Sequence, residues 1–365
     1  MTQRKVRAVY MRGGTSRALF FHERDLPAPG PERDRILLAA TGSPDPYGRE
    51  LDGLGGGISS LSKACIIGPS THPDADVDYT FAQIEIKDPV VDYRGNCGNC
   101  SSAVGPFAID EGMVSVVEGE TLVRIHNTNT GKVIVAHVPV QDGEAAVSGD
   151  FELPGVAGKG ARIALDFVDP GGAVSGRLLP TGAPRDVIDG LEASLVDATN
   201  PMVFVRARDV GLVGTETPSA VDANRAVTER LEKIRVAAGA RMGVTGSAAV
   251  PKIAIVAPPM PFTALDGTAY EPDACDLLAR VMSMGNCHRA FALTAAMCLA
   301  VAARIDGTVV HEACGDVKGD VRLAHPSGVL PLDAAVTARD GAPWAERVTV
   351  YRSARRLMEG FVRIP

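Results

Sequence analysis

The residue best suited to chemistry is a cysteine in the segment Asn-Cys-Gly-Asn, where Cys97 lies between Asn96 and Gly98 and is followed by Asn99. Strand-like sequence comes before this segment, and the apolar run 101–110 after it predicts a helix. Cys97 is therefore expected at or just before a helix N-terminus. Free N–H groups and the helix dipole there lower a thiol pKa and bind carboxylates. A thiol in this position can act as a general acid or base.

A second candidate is a lysine that follows a stretch rich in glycine and serine. Lys63 comes after the glycines at 55–57 and after Ser62, and it runs directly into the apolar strand pattern 65–67. This placement favours partial burial, and burial can turn a lysine into a usable base. The alternative is an ordinary surface lysine at the edge of a strand, which is the commoner situation for lysine.

Cys97 also has less reactive interpretations. Together with Cys100 it forms a Cys-x-x-Cys pair, which occurs in zinc sites and in thiol redox proteins. A structural zinc site usually needs four ligands, and the sequence contains no second pair, so we predict no metal. Simple burial of both thiols also stays open beside catalysis.

The composition limits the class of protein. The chain has 365 residues, of which 45% are hydrophobic and 22% charged, an ordinary globular balance. Lys and Arg number 37 against 44 Asp and Glu, and no basic cluster occurs, so the net charge of −7 argues against binding nucleic acid or an anionic membrane. The longest uncharged run, 290–303, is too short to span a bilayer. Seven cysteines, an odd number, and an N-terminus without a signal-like apolar core favour the cytoplasm.

The elements that must position these residues are mostly short strands. A stretch rich in glycine and proline, 157–185, suggests a boundary between two halves of similar style. We therefore predict an N-terminal domain at 1–178 and a C-terminal domain at 179–365. The last strand is a candidate to return to the first domain.

A short internal repeat links the two halves. Gly-Asn-Cys at 95–97 opens one predicted helix, and Gly-Asn-Cys at 285–287 opens another over 287–305, which a predicted strand at 307–310 follows. This repeat suggests two related domains with the active cleft between them. Three-residue matches also arise by chance, and that alternative stays open.

Further polar candidates lie in the second half and near the N-terminus. Cys287 is followed by His288, which can supply a cation. The turn His-Pro-Ser-Gly offers the hydroxyl of Ser327 and the backbone amide of Gly328. The segment 10–17 combines glycines, hydroxyls and arginines in a plausible anion-binding loop.

Taken together and in order, the motifs of the chain resemble a known family over nearly its whole length. The segments that carry the resemblance are Tyr-Met-Arg-Gly-Gly-Thr-Ser at 10–16, Gly-Ser-Pro-Asp-Pro-Tyr-Gly at 42–48, Ser-Lys at 62–63, Asp-Val-Asp-Tyr at 76–79, Asn-Cys-Gly-Asn at 96–99, Val-Gly-Pro-Phe-Ala-Ile at 104–109, His-Pro-Ser-Gly at 325–328 and Arg-Arg-Leu-Met-Glu-Gly at 355–360. This set resembles the PrpF family of 2-methylaconitate and related allylic isomerases.

The resemblance implies an α+β, diaminopimelate-epimerase-like fold. Two pseudo-symmetric domains are expected, each a mixed or antiparallel, barrel-like sheet wrapped on a central helix. The implied activity is a cofactor-free shift of a double bond in a small unsaturated di- or tricarboxylate, such as 2-methylaconitate, 4-oxalomesaconate or 3-methylitaconate. The expected partners are this substrate and a second copy of the chain in a homodimer, with no nucleic acid and no membrane.

In the family's motifs, Lys63 and Cys97 are the acid/base pair. Enolate and carboxylate binding is expected from Ser16, Ser62, Asn96, Gly98, Asn99, Cys287, His288, Ser327 and Gly328. Cys287 lies where true epimerases hold their second catalytic cysteine, so a two-cysteine racemase or epimerase stays an alternative. Another is a non-catalytic, tricarboxylate-binding accessory protein of an aconitase-like enzyme, although binding alone needs no acid/base pair.

Overall fold

The computed structural model describes residues 3–246, 250–283 and 285–365. The chain divides into two compact units, the first Met1–Phe167 with Tyr351–Pro365 and the second Val168–Val350. The domains predicted at 1–178 and 179–365 stay a prediction. None of the described helices has the length and apolar character that crossing a membrane requires.

The chain forms six α-helices and 23 strands within the described residues. The helices are α1 (Pro31–Thr41), α2 (Gly98–Asp110), α3 (Pro218–Ala223), α4 (Arg225–Met242), α5 (Leu293–Ala303) and α6 (Val309–Cys314). The strands are β1 (Arg4–Gly13), β2 (Ser16–His22), β3 (Lys63–Pro69), β4 (Val77–Ile84), β5 (Val91–Asp92), β6 (Gly119–Asn127), β7 (Lys132–Gln141), β8 (Glu144–Ala145), β9 (Phe151–Glu152), β10 (Lys159–Gly160), β11 (Ile163–Val168), β12 (Asp186–Ile188), β13 (Leu191–Ala198), β14 (Asn200–Arg206), β15 (Lys252–Ala257), β16 (Phe262–Thr263), β17 (Ala269–Tyr270), β18 (Leu277–Ser283), β19 (Asn286–Cys287), β20 (Val321–His325), β21 (Gly328–Arg339), β22 (Ala342–Arg352) and β23 (Ala354–Ile364).

The sheet of the first unit has the order β23-β1-β2-β3-β4-β6-β7-β11. The pairs β2–β3 and β4–β6 are parallel, and the other neighbours are antiparallel. A core that includes Val6, Leu19 and Ile66 packs against Ile36 and Leu37 of α1. The alternating apolar residues of these strands therefore lie on one side of the sheet, and α1 covers that side.

The central helix of the first unit is α2. All of its residues from Cys100 to Ile109 are buried, and it packs against β1, β2, β3, β6, β7 and β23. The approach to β7 is close, because a Cβ on Gly105 would lie 2.6 Å from Cγ2 of Val138. This strand-wrapped helix confirms the predicted α+β architecture.

The second unit repeats the arrangement. Its sheet has the order β12-β13-β14-β15-β18-β20-β21-β22, with β14–β15 and β18–β20 parallel and the other neighbours antiparallel. The series of parallel and antiparallel pairings is thus the same in both units. The apolar helix α5 is buried along most of its length and contacts β13, β14, β20 and β21. The predicted pseudo-symmetry is confirmed at the level of topology.

The Gly-Asn-Cys letters, however, are out of register with this repeat. Gly285 has φ +84°, and Asn286 and Cys287 fold back to pair with Ser283 and Met282 in a hairpin. The second helix therefore begins at Leu293 rather than at 287, and the strand predicted at 307–310 is wrong because that stretch forms a turn and the start of α6. Cys97 precedes α2 directly, whereas Cys287 lies on a short strand well before α5.

Candidate active site

Cys97 is the N-cap residue of α2, as the sequence predicts. Its backbone is extended, with φ −112° and ψ 100°, and its Sγ accepts a hydrogen bond from the backbone N–H of Cys100 at 3.5 Å. The carbonyl of Cys97 accepts the first helical bond from the N–H of Ser101 at 2.9 Å. The thiol is therefore half-buried at a helix N-terminus, where the first backbone donors have no intrahelical partner.

Lys63 lies on the face of β3 that carries Cys65, because side chains two residues apart point to the same side of a strand. Its Nζ donates to Oε1 of Gln83, the residue opposite on β4, at 2.5 Å and lies 5.0 Å from the centre of the Phe81 ring. The side chain is 7% exposed. Among the described residues Lys63 has no carboxylate partner.

A row of thiols connects this sheet face with α2. The thiol of Cys65 donates to the hydroxyl of Tyr79 at 4.0 Å, and the side chains of Cys65 and Cys97 both act on the pKa of Cys100. The charge of Lys63 acts on both Cys97 and Cys100, so the amine lies within electrostatic range of both thiols. The two residues that the sequence proposes as the acid/base pair are thus electrostatically coupled.

The electrostatic prediction for Cys97 is wrong in its direction. The hydrogen bond with the Cys100 side chain and then burial raise the pKa of Cys97 well above its ordinary value, and the charge of Lys63 lowers it only in part. The effects that disfavour the thiolate therefore outweigh the lowering of the pKa by Lys63 and by the backbone N–H of Cys100 at the helix terminus. Cys97 is therefore a protonated thiol at neutral pH.

Ser62 is fixed by a buried carboxylate. Its hydroxyl donates to Glu50, whose Oε2 also accepts the backbone N–H of Gly57 at 2.8 Å. Glu50 is 1% exposed, and the carbonyl of Ser62 accepts from Nε2 of Gln83 at 3.0 Å. These bonds tie the glycine-rich segment to the start of β3 and so hold the backbone of Lys63.

The two asparagines that flank the cysteine are used within the protein. Oδ1 of Asn96 accepts from the hydroxyl of Ser101 at 3.3 Å and from Nδ2 of Asn127 at 3.4 Å. Nδ2 of Asn99 donates to Oγ1 of Thr15 at 3.1 Å. The hairpin turn from β1 to β2 therefore packs on the first turn of α2, and Ser16, which is 3% exposed, follows that turn. Gly98 is the first residue of α2.

Several residues that shape the site carry no local sequence signal. Gln83 could be found only by pairing β3 with β4 in the correct register. Asn129 bonds both the N–H and the carbonyl of Phe81, at 2.8 and 2.9 Å, and so holds β4 beneath Lys63. Arg352 reaches Asn99 from a position far along the chain, at 3.2 Å. Contacts of this kind depend on the tertiary fold.

The candidate site residues from the second half of the chain all lie in the second unit. The N–H of Cys287 donates to Asp222 at 2.6 Å, and burial, followed by the charge of Asp222, raises the pKa of Cys287 to about 11. Nδ1 of His288 accepts the N–H of Ala290 at 3.0 Å, and burial lowers the pKa of His288. The hydroxyl of Ser327 donates to the carbonyl of Arg289 at 2.6 Å.

Gly328 begins β21, opposite His325, with φ +127°. One group in the described chain has the spacing of metal ligands: Asp306, His311 and Asp316, of which the two carboxylates are exposed. It includes no residue of the site around Cys97.

Comparison with known proteins identifies the relatives of this chain. A family described as PrpF protein matches residues 3–365. The chain is 45% identical to 3-methylitaconate isomerase of Eubacterium barkeri, over 99% of this chain and 98% of the relative. It is 41% identical to 2-methyl-aconitate isomerase of Shewanella oneidensis, over 100% and 98%, and 38% identical to 4-oxalomesaconate tautomerase of Pseudomonas putida, over 100% and 97%.

A solved structure of methylitaconate-delta-isomerase superposes with a TM-score of 0.94 and 44% identity, covering 100% of this chain and 96% of that one. The fold has the diaminopimelate-epimerase-like arrangement of strands around a central helix. Together with the named activities of the relatives, it places this chain in the class of isomerases. The chain belongs to the PrpF family.

Proposed function

We propose that the chain is a cofactor-free allylic isomerase of a small unsaturated di- or tricarboxylate, with Lys63 and Cys97 as the acid/base pair. The observation that supports the proposal is a buried amine without a carboxylate partner within electrostatic range of a thiol at a helix N-terminus. The named activities of the relatives, on methylitaconate, methylaconitate and oxalomesaconate, supply the substrate class.

The proposed reaction moves a proton between the first and third carbons of a C–C=C unit. One group removes the proton, the carbanion is delocalised onto a neighbouring carboxylate or keto group, and the other group returns a proton at the far carbon. Because its raised pKa keeps Cys97 in the thiol form, we assign to Cys97 the donation of a proton to the substrate, and to Lys63, acting as the neutral amine, the removal of one from it. In the reverse reaction the two roles exchange.

The thiol row suits a proton donor better than a strong nucleophile. Cys100 acts directly on Cys97, and Cys65 acts on Cys100; these weakly polar neighbours, together with burial, disfavour a persistent thiolate. The free N–H groups of the first turn of α2 are directed at the same place and can stabilise the enolate that forms.

The test is proton exchange in heavy water, followed by NMR. Wild-type protein is offered aconitate, 2-methylaconitate, 3-methylitaconate and 4-oxalomesaconate, and deuterium is expected at both allylic carbons of at least one acid. Lys63→Met and Cys97→Ser are expected to lower the exchange rate by about 100-fold or more. Cys314→Ser, a change in the other unit, is the matched control and should leave the rate unchanged. Exchange at the wild-type rate in both site variants would remove this pair from the mechanism.

The same experiment separates catalysis from mere binding. A tricarboxylate-binding accessory protein would bind these acids without exchanging their protons. The homodimer and the cytoplasmic location are also part of the proposal. Light scattering on the purified protein tests the first, and the seven unpaired cysteines agree with a reducing compartment.

A further inference from the structure

Arg352 is a buried cation without an anionic partner. It is the last residue of β22, and only 6% of its surface is exposed. Its Nε donates to Oδ1 of Asn99 at 3.2 Å, and its Nη1 donates to the carbonyl of Tyr351 at 2.7 Å. In the described part of the chain none of its contacts is with a carboxylate. A guanidinium stays charged in proteins, so this burial is costly unless an anion compensates it.

The position of Arg352 points to the reacting thiol. Burial lowers the pKa of Arg352 to about 10, and the neighbouring Cys97 acts in the opposite direction, so the guanidinium lies within electrostatic range of the thiol. Asn99 is the second residue of α2, only two positions after Cys97. The cation therefore lies next to the helix N-terminus that carries the thiol.

The backbone around Arg352 is held firmly in place. The carbonyl of Ser353 accepts the N–H of Gly14 at 2.9 Å and Nη1 of Arg12 at 2.9 Å. Nη2 of Arg12 also donates to Oγ of Ser353 at 3.2 Å. The C-terminal segment is thus tied to the β1–β2 turn. Arg352 is therefore ordered before a ligand binds, so binding does not have to supply the free energy of ordering it.

We propose that Arg352 binds, beside Cys97, a substrate carboxylate that is attached to one of the two end carbons of the C–C=C unit. This inference rests on the proposed function and adds to it a binding residue and a substrate requirement. The N–H groups of Gly98 and Asn99 can share the same carboxylate. As the proton leaves, negative charge grows on this group, so a fixed cation stabilises the transition state more than the ground state.

The first test is calorimetric and needs no turnover. The probe is tricarballylate, a saturated tricarboxylate that has no double bond to move. Arg352→Gln is expected to weaken its binding by about 10- to 100-fold, as is typical of a lost charge-assisted hydrogen bond. Arg352→Lys should be intermediate because it keeps the charge and loses the fork. Arg355→Gln removes an exposed arginine three residues later and is the matched control.

The second test is chemical rescue, which a merely structural role would not allow. Arg352→Ala should lose kcat as well as affinity, and added ethylguanidinium should restore part of kcat, while the same salt should not raise the activity of Arg355→Ala. Circular dichroism verifies that each variant is folded. If Arg352→Gln and Arg352→Lys both bind tricarballylate as the wild type does, or if rescue fails in a folded variant, the proposal is overturned.

The two proposals fail in different ways. A wild-type protein that binds tricarballylate through Arg352 but exchanges no allylic proton contradicts the isomerase and supports the carboxylate site. A wild-type isomerase whose Arg352→Gln variant is fully active contradicts the carboxylate site alone. A wild type that neither binds nor exchanges contradicts both.

Discussion

At the scale of single residues, the reach of Lys63 depends on Gln83. The side-chain amide of Gln83 accepts from Nζ of Lys63 and donates to the carbonyl of Ser62, so it holds both the side-chain nitrogen of the lysine and the backbone just before it. Gln83→Leu should lower kcat by on the order of 100-fold, because a displacement of about 1 Å in a reacting group has an effect of that size. Steady-state kinetics measure it, with Gln141→Leu on the exposed end of β7 as the control. A Gln83→Leu variant with wild-type kcat would contradict the positioning role.

The ionisation of Cys97 can be tested through its neighbour. The hydrogen bond with Cys100 is the largest cause of the raised pKa of Cys97, ahead of burial. Cys100→Ala should therefore shift the pKa of Cys97 downward. Alkylation by iodoacetamide, followed at Cys97 by mass spectrometry, should begin at lower pH in this variant than in the wild type, since the thiolate is the reactive form. Cys314→Ala is the control, and an unchanged alkylation profile in Cys100→Ala would refute the assignment.

The sequence predicts the proposed acid/base residues better than it predicts the residues that hold them in place. Cys97 and Lys63 are found because each follows a local pattern, an N-terminal helix signal and a glycine-rich run into a strand. Glu50 and Arg352 have no such pattern, because their roles arise from contacts between segments far apart in the chain. The direction of the pKa shift of Cys97 also depends on burial, which a helix signal does not report.

At the scale of elements, α2 is placed by its close approach to β7. A methyl group on Gly105 would lie 2.6 Å from Cγ2 of Val138 and 3.1 Å from Cβ of Ala136. Gly105→Ala should therefore destabilise the protein by about 1–3 kcal/mol through overpacking, despite the better helix propensity of alanine. Urea unfolding measures the change. Gly95→Ala is the control, because its methyl group meets no described atom within 4 Å, and equal stability of the two variants would argue against the close packing.

The element that carries Cys287 argues against a catalytic role for that cysteine equal to that of Cys97. Cys287 lies on the two-residue strand β19, without the helix N-terminus that Cys97 has, and its pKa is raised to about 11. Cys287→Ser should keep the allylic exchange rate within about twofold, as neutral substitutions do. The measurement is the NMR exchange assay with Cys97→Ser beside it. A loss as large as that of Cys97→Ser would favour the two-cysteine racemase.

At the scale of the whole molecule, the two units share one series of strand pairings around a buried helix. The sequence predicts the duplication, yet the tripeptide that suggests it is misleading, because Cys287 lies on the returning strand of a hairpin and an irregular stretch separates it from α5. Topology is retained because it follows from hydrophobic alternation over whole strands. The structure that a short motif adopts near a turn depends on the backbone dihedral of one residue, and a helical sequence pattern does not specify that dihedral.

The stability of the whole molecule should depend on a buried histidine. His325 is 4% exposed, its Nδ1 accepts the N–H of Ser327 at 3.1 Å, and burial, then the charges of Arg280 and His288, lower its pKa from 6.5 to about 4. Between these pH values the unfolded chain binds a proton that the folded one does not, so stability falls as the pH falls from 6.5 to 4.

The loss should reach on the order of 3 kcal/mol at pH 4, from 1.36 kcal/mol per pKa unit. His325→Asn keeps an acceptor near Nδ1 but does not titrate, so its urea unfolding midpoint should fall less on acidification than that of the wild type. His72→Asn serves as the matched control. If His325→Asn and the wild type lose the same stability between pH 6.5 and 4, another group is responsible for the acid sensitivity.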